Sequence, residues 1–278
     1  MNEIPVKTVR AGDLTLAYRE LGSGPPVLLL HGWPTSSHLW RNIMPPLATH
    51  NRVIALDLPG FGASDKPRDA SYSFRYQAKA LTDFLHALDV STVSIVGHDL
   101  GGPIGLYWAS QNPERIHRIA MLNTLIYPEF SWAVIAFGVS LRIPGLRSWL
   151  TSSSGLRFLM RAGVVHKDRM DDAVLDAICA PFQSPEARQA LHQTFMGLHP
   201  GGFRTIADWL PAVTVPVRVI YGENDRVLPD IAQTVARLKK DIPHAEVTPL
   251  PQCGHFLQED EPERVGEMLA AFFAATDS

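Results

Sequence analysis

A chain of 278 residues that is 46% hydrophobic and 19% charged, with a formal charge of −3, is long enough for a large buried core and carries no broad positive field for nucleic acid. Its two cysteines, Cys179 and Cys253, have no C-x-x-C spacing, so neither a disulfide framework nor a zinc site is implied. No apolar run reaches the roughly 18 residues needed to span a bilayer, and Met1-Asn2-Glu3-Ile4-Pro5 lacks the pattern of a secretory leader. A cytoplasmic protein without membrane or nucleic-acid partners is expected.

Val6 to Arg10 and Leu14 to Arg19 alternate in polarity around Gly12-Asp13, which predicts a β-hairpin. Val27 to Leu30 is short and wholly apolar, as expected of a strand covered on both faces. Val53 to Leu56, Val93 to Val96, Ile119 to Leu122 and Val217 to Ile220 repeat that signature, or nearly so. Helical stretches such as Tyr76 to Leu88 and Gly105 to Asn112 lie between them. The alternation predicts an α/β fold, a mostly parallel, doubly wound sheet with active groups at the carboxyl ends of its strands. The rhythm breaks between about Tyr127 and Val213. Helical signals there (Ser131 to Arg142, Asp171 to Ala180, Pro185 to Met196) come without a clear strand, and Pro144, Gly145, Pro181, Pro200 and Gly201-Gly202 punctuate them. Residues 127–213 are therefore expected to form a helical lid inserted into a core made of residues 1–126 and 214–278.

The most informative segment is Gly97-His98-Asp99-Leu100-Gly101-Gly102, a glycine-flanked turn between a predicted strand and a predicted helix. Asp225 follows the strand ending at Ile220, and His255 lies in a loop ahead of the last helix. Each residue read alone has a plainer role, since aspartates after strands often cap helices and a Gly-His pair is usually a loop. In this order, on strand ends, the three compose a nucleophile, a base and an orienting acid. A carboxylate is ionised at neutral pH and needs no base to attack a saturated carbon bearing a leaving group. Releasing the resulting ester requires water, which His255 would activate with Asp225 holding its tautomer. The backbone N–H groups of Leu100 and of Trp33, in His31-Gly32-Trp33-Pro34, are the candidate oxyanion donors.

These segments, with Asp57 to Gly62, Ser64 to Pro67 and Gly254 to Asp260, resemble the α/β-hydrolases with an aspartate nucleophile, the haloalkane dehalogenases and epoxide hydrolases. The resemblance spans nearly the whole chain outside the lid and implies the α/β-hydrolase fold with Asp99, Asp225 and His255 as its triad. Pro34 to Asn42 and His255 to Asp260 look most like haloalkane dehalogenases, while the Gly-His-Asp turn looks equally like epoxide hydrolases. Two departures keep the subfamily open. Dehalogenases usually carry a tryptophan after the nucleophile to hold the halide, and here the residue is Leu100, whose side chain donates nothing. Epoxide hydrolases use two lid tyrosines, and this lid has Tyr127 alone.

Trp33, Leu100, Tyr127 and Trp132 are the expected substrate-binding residues. Trp149, Trp209, His166, His192 and His199 are further potential donors in the lid. Leu100 and the apolar lid residues Phe130, Ile135, Phe137 and Leu141 predict a small, uncharged substrate that reacts with water alone, without metal or organic cofactor, in a monomer or homodimer. Haloalkane hydrolysis is the leading expectation. Epoxide hydrolysis is the alternative, with ester hydrolysis or a low-turnover binding protein behind it.

Overall fold

Eight strands order as β1-β2-β4-β3-β5-β6-β7-β8 in one sheet of the computed structural model, which describes residues 4–274. They are β1 (Val6–Ala11), β2 (Leu14–Leu21), β3 (Pro26–Leu30), β4 (Arg52–Leu56), β5 (Val93–Asp99), β6 (Ile116–Thr124), β7 (Val217–Gly222) and β8 (Glu246–Leu250). The β1–β2 hairpin pairs antiparallel with β4, and every pairing from β4 to β8 is parallel.

The wholly apolar strands have a direct explanation. Successive side chains point to opposite faces of a strand, and here both faces are covered. Leu28, Leu30, Ile54, Ile95, Ile119, Met121, Val217 and Val219 pack on one side, against helices α2 (Phe74–Ala87), α3 (Gly101–Gln111) and α10 (Ile231–Asp241). Their neighbours Val27, Leu29, Val53, Ala55, Val96, Ala120 and Ile220 pack on the other, against α1 (Met44–Leu47) and α12 (Pro262–Ala274). A polar residue at any of these positions would be buried without a partner, so no polar–apolar alternation survives.

Between β6 and β7 the chain forms α4 (Trp132–Arg142), α5 (Pro144–Leu150), α6 (Ser153–Ala162), α7 (Asp172–Cys179), α8 (Pro185–Gly197) and α9 (Pro200–Trp209). The side chains of Ser131 and Asp171 cap α4 and α7 at the residues where their sequence signals began, and that of Ser184 caps α8 one residue before its signal. Two residues read as breaks prove to be starts. Pro144 and Pro200 occupy the first turns of α5 and α9, where a missing N–H costs nothing because that donor has no intrahelical partner. The edge strand β8 carried no apolar run because it is largely unburied and contains Pro249.

Among the described residues no helix is long and apolar enough to cross a membrane. The two cysteines are free and buried, and burial pushes both thiols up, to about 11 for Cys179 and about 12 for Cys253.

Candidate active site

Parallel strands deliver their carboxyl ends to one edge of the sheet, and there β3 hands over to His31–Trp33, β5 to Asp99, β6 to Asn123 and β7 to Asp225. Asp99 has φ +49°, a left-handed conformation that costs a residue with a Cβ about 1–2 kcal/mol. The surroundings enforce it. Thr124 Oγ1 donates to the Asp99 carbonyl at 2.7 Å, and a Cβ on Gly97 would lie 2.5 Å from the Cα of Gly102. The turn is tight because two glycines allow strand and helix to meet.

The same crowding brings the second loop in. A Cβ on Gly32 would collide with the Asp99 carboxyl, so glycine there lets the Trp33 N–H reach Asp99 Oδ1 at 2.6 Å. The Leu100 N–H also bonds this carboxylate. His31 fixes the loop: its Nδ1 donates to the Gly32 carbonyl at 2.9 Å while Nε2 accepts from Leu58 N–H at 3.1 Å. Burial keeps this imidazole below its usual range and therefore neutral.

His255 sits with Nδ1 2.8 Å from Asp225 Oδ2 and Nε2 3.5 Å from Asp99 Oδ2. Nε2 makes no hydrogen bond and points at the one Asp99 oxygen that the Trp33 N–H leaves free. Asp225 is buried and has four donors. Val227 and Leu228 N–H reach its Oδ1 at 2.7 and 2.8 Å, and Asn123 Nδ2 reaches Oδ2 at 2.6 Å beside His255. Burial alone would raise both carboxyls. The hydrogen bonds and the His255 charge outweigh it, so Asp99 and Asp225 both lie below the usual carboxylate range. Burial pushes His255 down, but Asp225 and then Asp99 prevail and hold the imidazole well above its usual range.

The His255 loop is pinned from several sides. Its backbone N–H donates to the Gly163 carbonyl at 2.7 Å, and His98 Nε2 donates to its carbonyl at 3.0 Å. Burial, then the neighbouring His255, depress His98 to about 3, so it remains an uncharged donor. Asp260, in α11 (Leu257–Asp260), ties the loop to the helical insertion: Oδ2 accepts Gly254 N–H, and Oδ1 accepts Val165 and His166 N–H. Its neighbour Glu259 is buried against Arg41 in a two-pronged pair of 2.6 and 2.7 Å.

Above these groups lies a cavity of about 200 Å³ lined by Trp33, Leu100, Leu125, Phe137, Phe195 and Phe256 among others. Its ionisable lining groups are Asp99, His255 and Arg226. Trp33 and Leu100, both expected in the site, line it, but the Trp33 indole N–H is engaged by the Leu191 carbonyl at 3.1 Å and is not a donor to substrate. Tyr127 and Trp132 require correction. The Tyr127 hydroxyl donates to Asp241 Oδ2 at 2.5 Å with the Arg237 guanidinium 3.8 Å over its ring, and it does not line the cavity. Trp132 is 76% exposed on the outer face of α4 and is absent from the lining as well. Both stand where the chain enters the insertion, but the Tyr127 side chain turns to α10 and that of Trp132 to solvent.

Sequence reasoning missed Asn123 as a brace and the wall formed by Leu125, Leu159, Phe195, Arg226 and Phe256. The Gly222 amide bonded to Asn123 Oδ1 could not be foreseen from spacing, although Asn123 ends a strand beside the turn. Among the described residues no group of three or more His, Cys, Asp or Glu could hold a metal ion.

A charged aspartate at a strained strand–helix turn, with the Trp33 amide on one oxygen and a histidine facing the other, is an arrangement suited to an α/β-hydrolase. Comparison with known proteins agrees. The α/β-hydrolase fold family matches residues 25–146. A haloalkane dehalogenase from Mesorhizobium japonicum is 31% identical over 279 residues, covering 94% of this chain and 88% of the relative. The crystal structure of the haloalkane dehalogenase DbeA from Bradyrhizobium elkani superposes with a TM-score of 0.86 at 29% identity, covering 97% of both chains. The epoxide hydrolase CorEH, at 24% identity and a TM-score of 0.84 over 98% of this chain and 99% of its own, shares the fold. The chain belongs to the α/β-hydrolase family and is an enzyme of the branch whose members include haloalkane dehalogenases.

Proposed function

We propose that the protein hydrolyses small haloalkane-like substrates through an ester formed on Asp99. The observation that carries this is the division of the Asp99 carboxylate, with Oδ1 held by the Trp33 amide while Oδ2 is open to the cavity and to His255. In the first step Oδ2 attacks the carbon, the carbon–halogen bond breaks, and its electron pair leaves as halide. Water then attacks Cγ of the ester and gives its proton to His255 Nε2, while Trp33 and Leu100 N–H hold the charge that develops on Oδ1. Collapse expels the alkoxide, which takes the proton from the imidazolium and leaves as alcohol. Asp225 stabilises that imidazolium throughout.

The nature of the cavity favours halide over epoxide. Opening an epoxide produces an alkoxide that needs an acid, whereas halide leaves without one. No tyrosine lines the cavity, and the Trp33 N–H is already bonded. Arg226 is the lining side chain with N–H donors and no internal hydrogen bond among the described residues, so it is the group available to a departing anion.

The test is a panel of 1-bromobutane, styrene oxide and p-nitrophenyl acetate with the parent protein and His255→Gln. Bromide release by the parent, with an alkyl adduct accumulating on Asp99 of the variant by mass spectrometry, is the expected result. Turnover of styrene oxide alone would transfer the reading to epoxides, and an unmodified Asp99 in a variant that still turns over would overturn it.

A further inference from the structure

A second chamber of about 230 Å³ abuts the first. Leu100, Leu125, Val134 and Phe195 line both, so the partition is apolar. Beyond it the walls remain apolar, with Phe130, Met196, Leu198 and Phe203, until they reach Arg142 and His199. Both of these residues are exposed, and they stand where the chamber meets solvent. The volume beside Asp99 is therefore matched by one of similar size that holds no residue of the triad and ends at Arg142 and His199.

The charge at that mouth is not offset. Residues 131–166 carry Arg142, Arg147, Arg157 and Arg161 and no acidic residue. Arg157 and Arg161 are paired with Asp172 and Asp176 on α7. Among the described residues Arg142 and Arg147 have no carboxylate partner. Their field reaches His192, on the adjoining α8: burial lowers this imidazole most, and Arg147 and then Arg142 lower it further.

We propose that the second chamber binds the tail of an elongated substrate whose far end is a carboxylate, held at Arg142 and His199 while its halogen-bearing carbon lies at Asp99. This deepens the haloalkane reading and rests on it. Apolar walls accept the methylene chain, and the Arg142 guanidinium at the mouth accepts the one charge such a molecule carries. The substrate class becomes ω-haloalkanoates of medium length, with neutral haloalkanes as partial mimics. Leu100, at the junction, is small enough to leave the partition low, where an indole would raise it.

The experiment measures bromide release from 4-bromobutanoate, 6-bromohexanoate, 8-bromooctanoate and 10-bromodecanoate, each beside the neutral bromoalkane of the same chain length. The expected kcat/KM of the acids rises with length and overtakes the neutral partner by roughly fivefold once the carboxylate reaches Arg142, the effect of one charge-assisted contact at a half-open mouth. Arg142→Leu should abolish that preference and leave 1-bromobutane turnover unchanged, and Arg142→Lys should retain it. Calorimetry with octanoate gives a reading that needs no turnover: binding by the parent and its loss in Arg142→Leu are expected. A preference that is absent, is greatest for the shortest acid, or disappears in Arg226→Leu but not in Arg142→Leu would overturn the proposal. If neutral bromides are not turned over while octanoate binds and depends on Arg142, the ester reading fails and the anion site stands.

Discussion

Replacing Asn123 with alanine tests whether Asp225 is a braced, ionised carboxylate. Asn123 Nδ2 donates to Asp225 Oδ2 at 2.6 Å, and its Oδ1 accepts the Gly222 N–H at 2.8 Å. Loss of the bond to the charged partner is worth about 1.5–3 kcal/mol, and leaving the buried Gly222 amide unpaired costs about 1–3 kcal/mol more. Asn123 also sits at φ +33°, where alanine adds about 1 kcal/mol of strain. Because the three effects share one site they overlap, and about 3–6 kcal/mol is expected, a fall in Tm on the order of 10 °C. Asn123→Gly removes the same bonds but relieves the backbone, so it should melt slightly above the alanine variant. With one of four donors gone, Asp225 rises toward the ordinary carboxylate range and supports the His255 imidazolium less. Rapid-quench mass spectrometry should then show Asp99 alkylated at the parent rate and its ester hydrolysed about tenfold more slowly, the effect of roughly 1.4 kcal/mol. An alanine variant melting within about 2 °C of the parent, or one slowed in alkylation instead, would refute the reasoning.

Two further outcomes follow from the charges around the site. Arg41→Ala leaves Glu259 buried without its guanidinium and should destabilise the fold by about 3–5 kcal/mol near neutral pH. Burial already raises Glu259, and without Arg41 its folded pKa climbs further above the unfolded one. The carboxyl is then best tolerated protonated, so the variant's deficit in a melting series should shrink as pH falls toward 5 and grow as it rises; a deficit independent of pH would refute this. Ester formation neutralises Asp99 and removes one of the two charges that hold His255 high, so its pKa falls when the intermediate forms. Because the base must be uncharged, hydrolysis of the intermediate should speed up as pH rises through that lowered value. Alkylation should stay flat across neutral pH, since Asp99 lies below the usual carboxylate range. Hydrolysis that slows with rising pH in single-turnover measurements would contradict the assignment.

The sheet was legible because parallel strands buried on both faces are built mainly of apolar residues, as Val27 to Leu30 and Val53 to Leu56 show. The elbow was legible because only closely spaced glycines let a strand turn so sharply into a helix. The β8 strand was not, being a half-exposed edge interrupted by Pro249. Nor were α5 and α9, whose prolines read equally well as breaks and as helix starts. At the site, the order Asp99, Asp225, His255 stands out in the sequence, whereas side-chain direction does not. Tyr127 and Trp132 occupy reasonable positions on the chain but turn away from the cavity, one toward Asp241 and the other into solvent. Phe195 enters it from a helix with no motif, and Arg226 from the position directly after Asp225.

Isotope labelling addresses the ester on Asp99 most directly. The parent protein, turned over many times with 1-bromobutane in H2¹⁸O and then digested, should yield the peptide containing Asp99 with ¹⁸O in its carboxylate, because the water that cleaves the ester attacks Cγ and leaves its oxygen there. Complete turnover with an unlabelled Asp99 peptide, and all of the label in the butanol, would contradict the account.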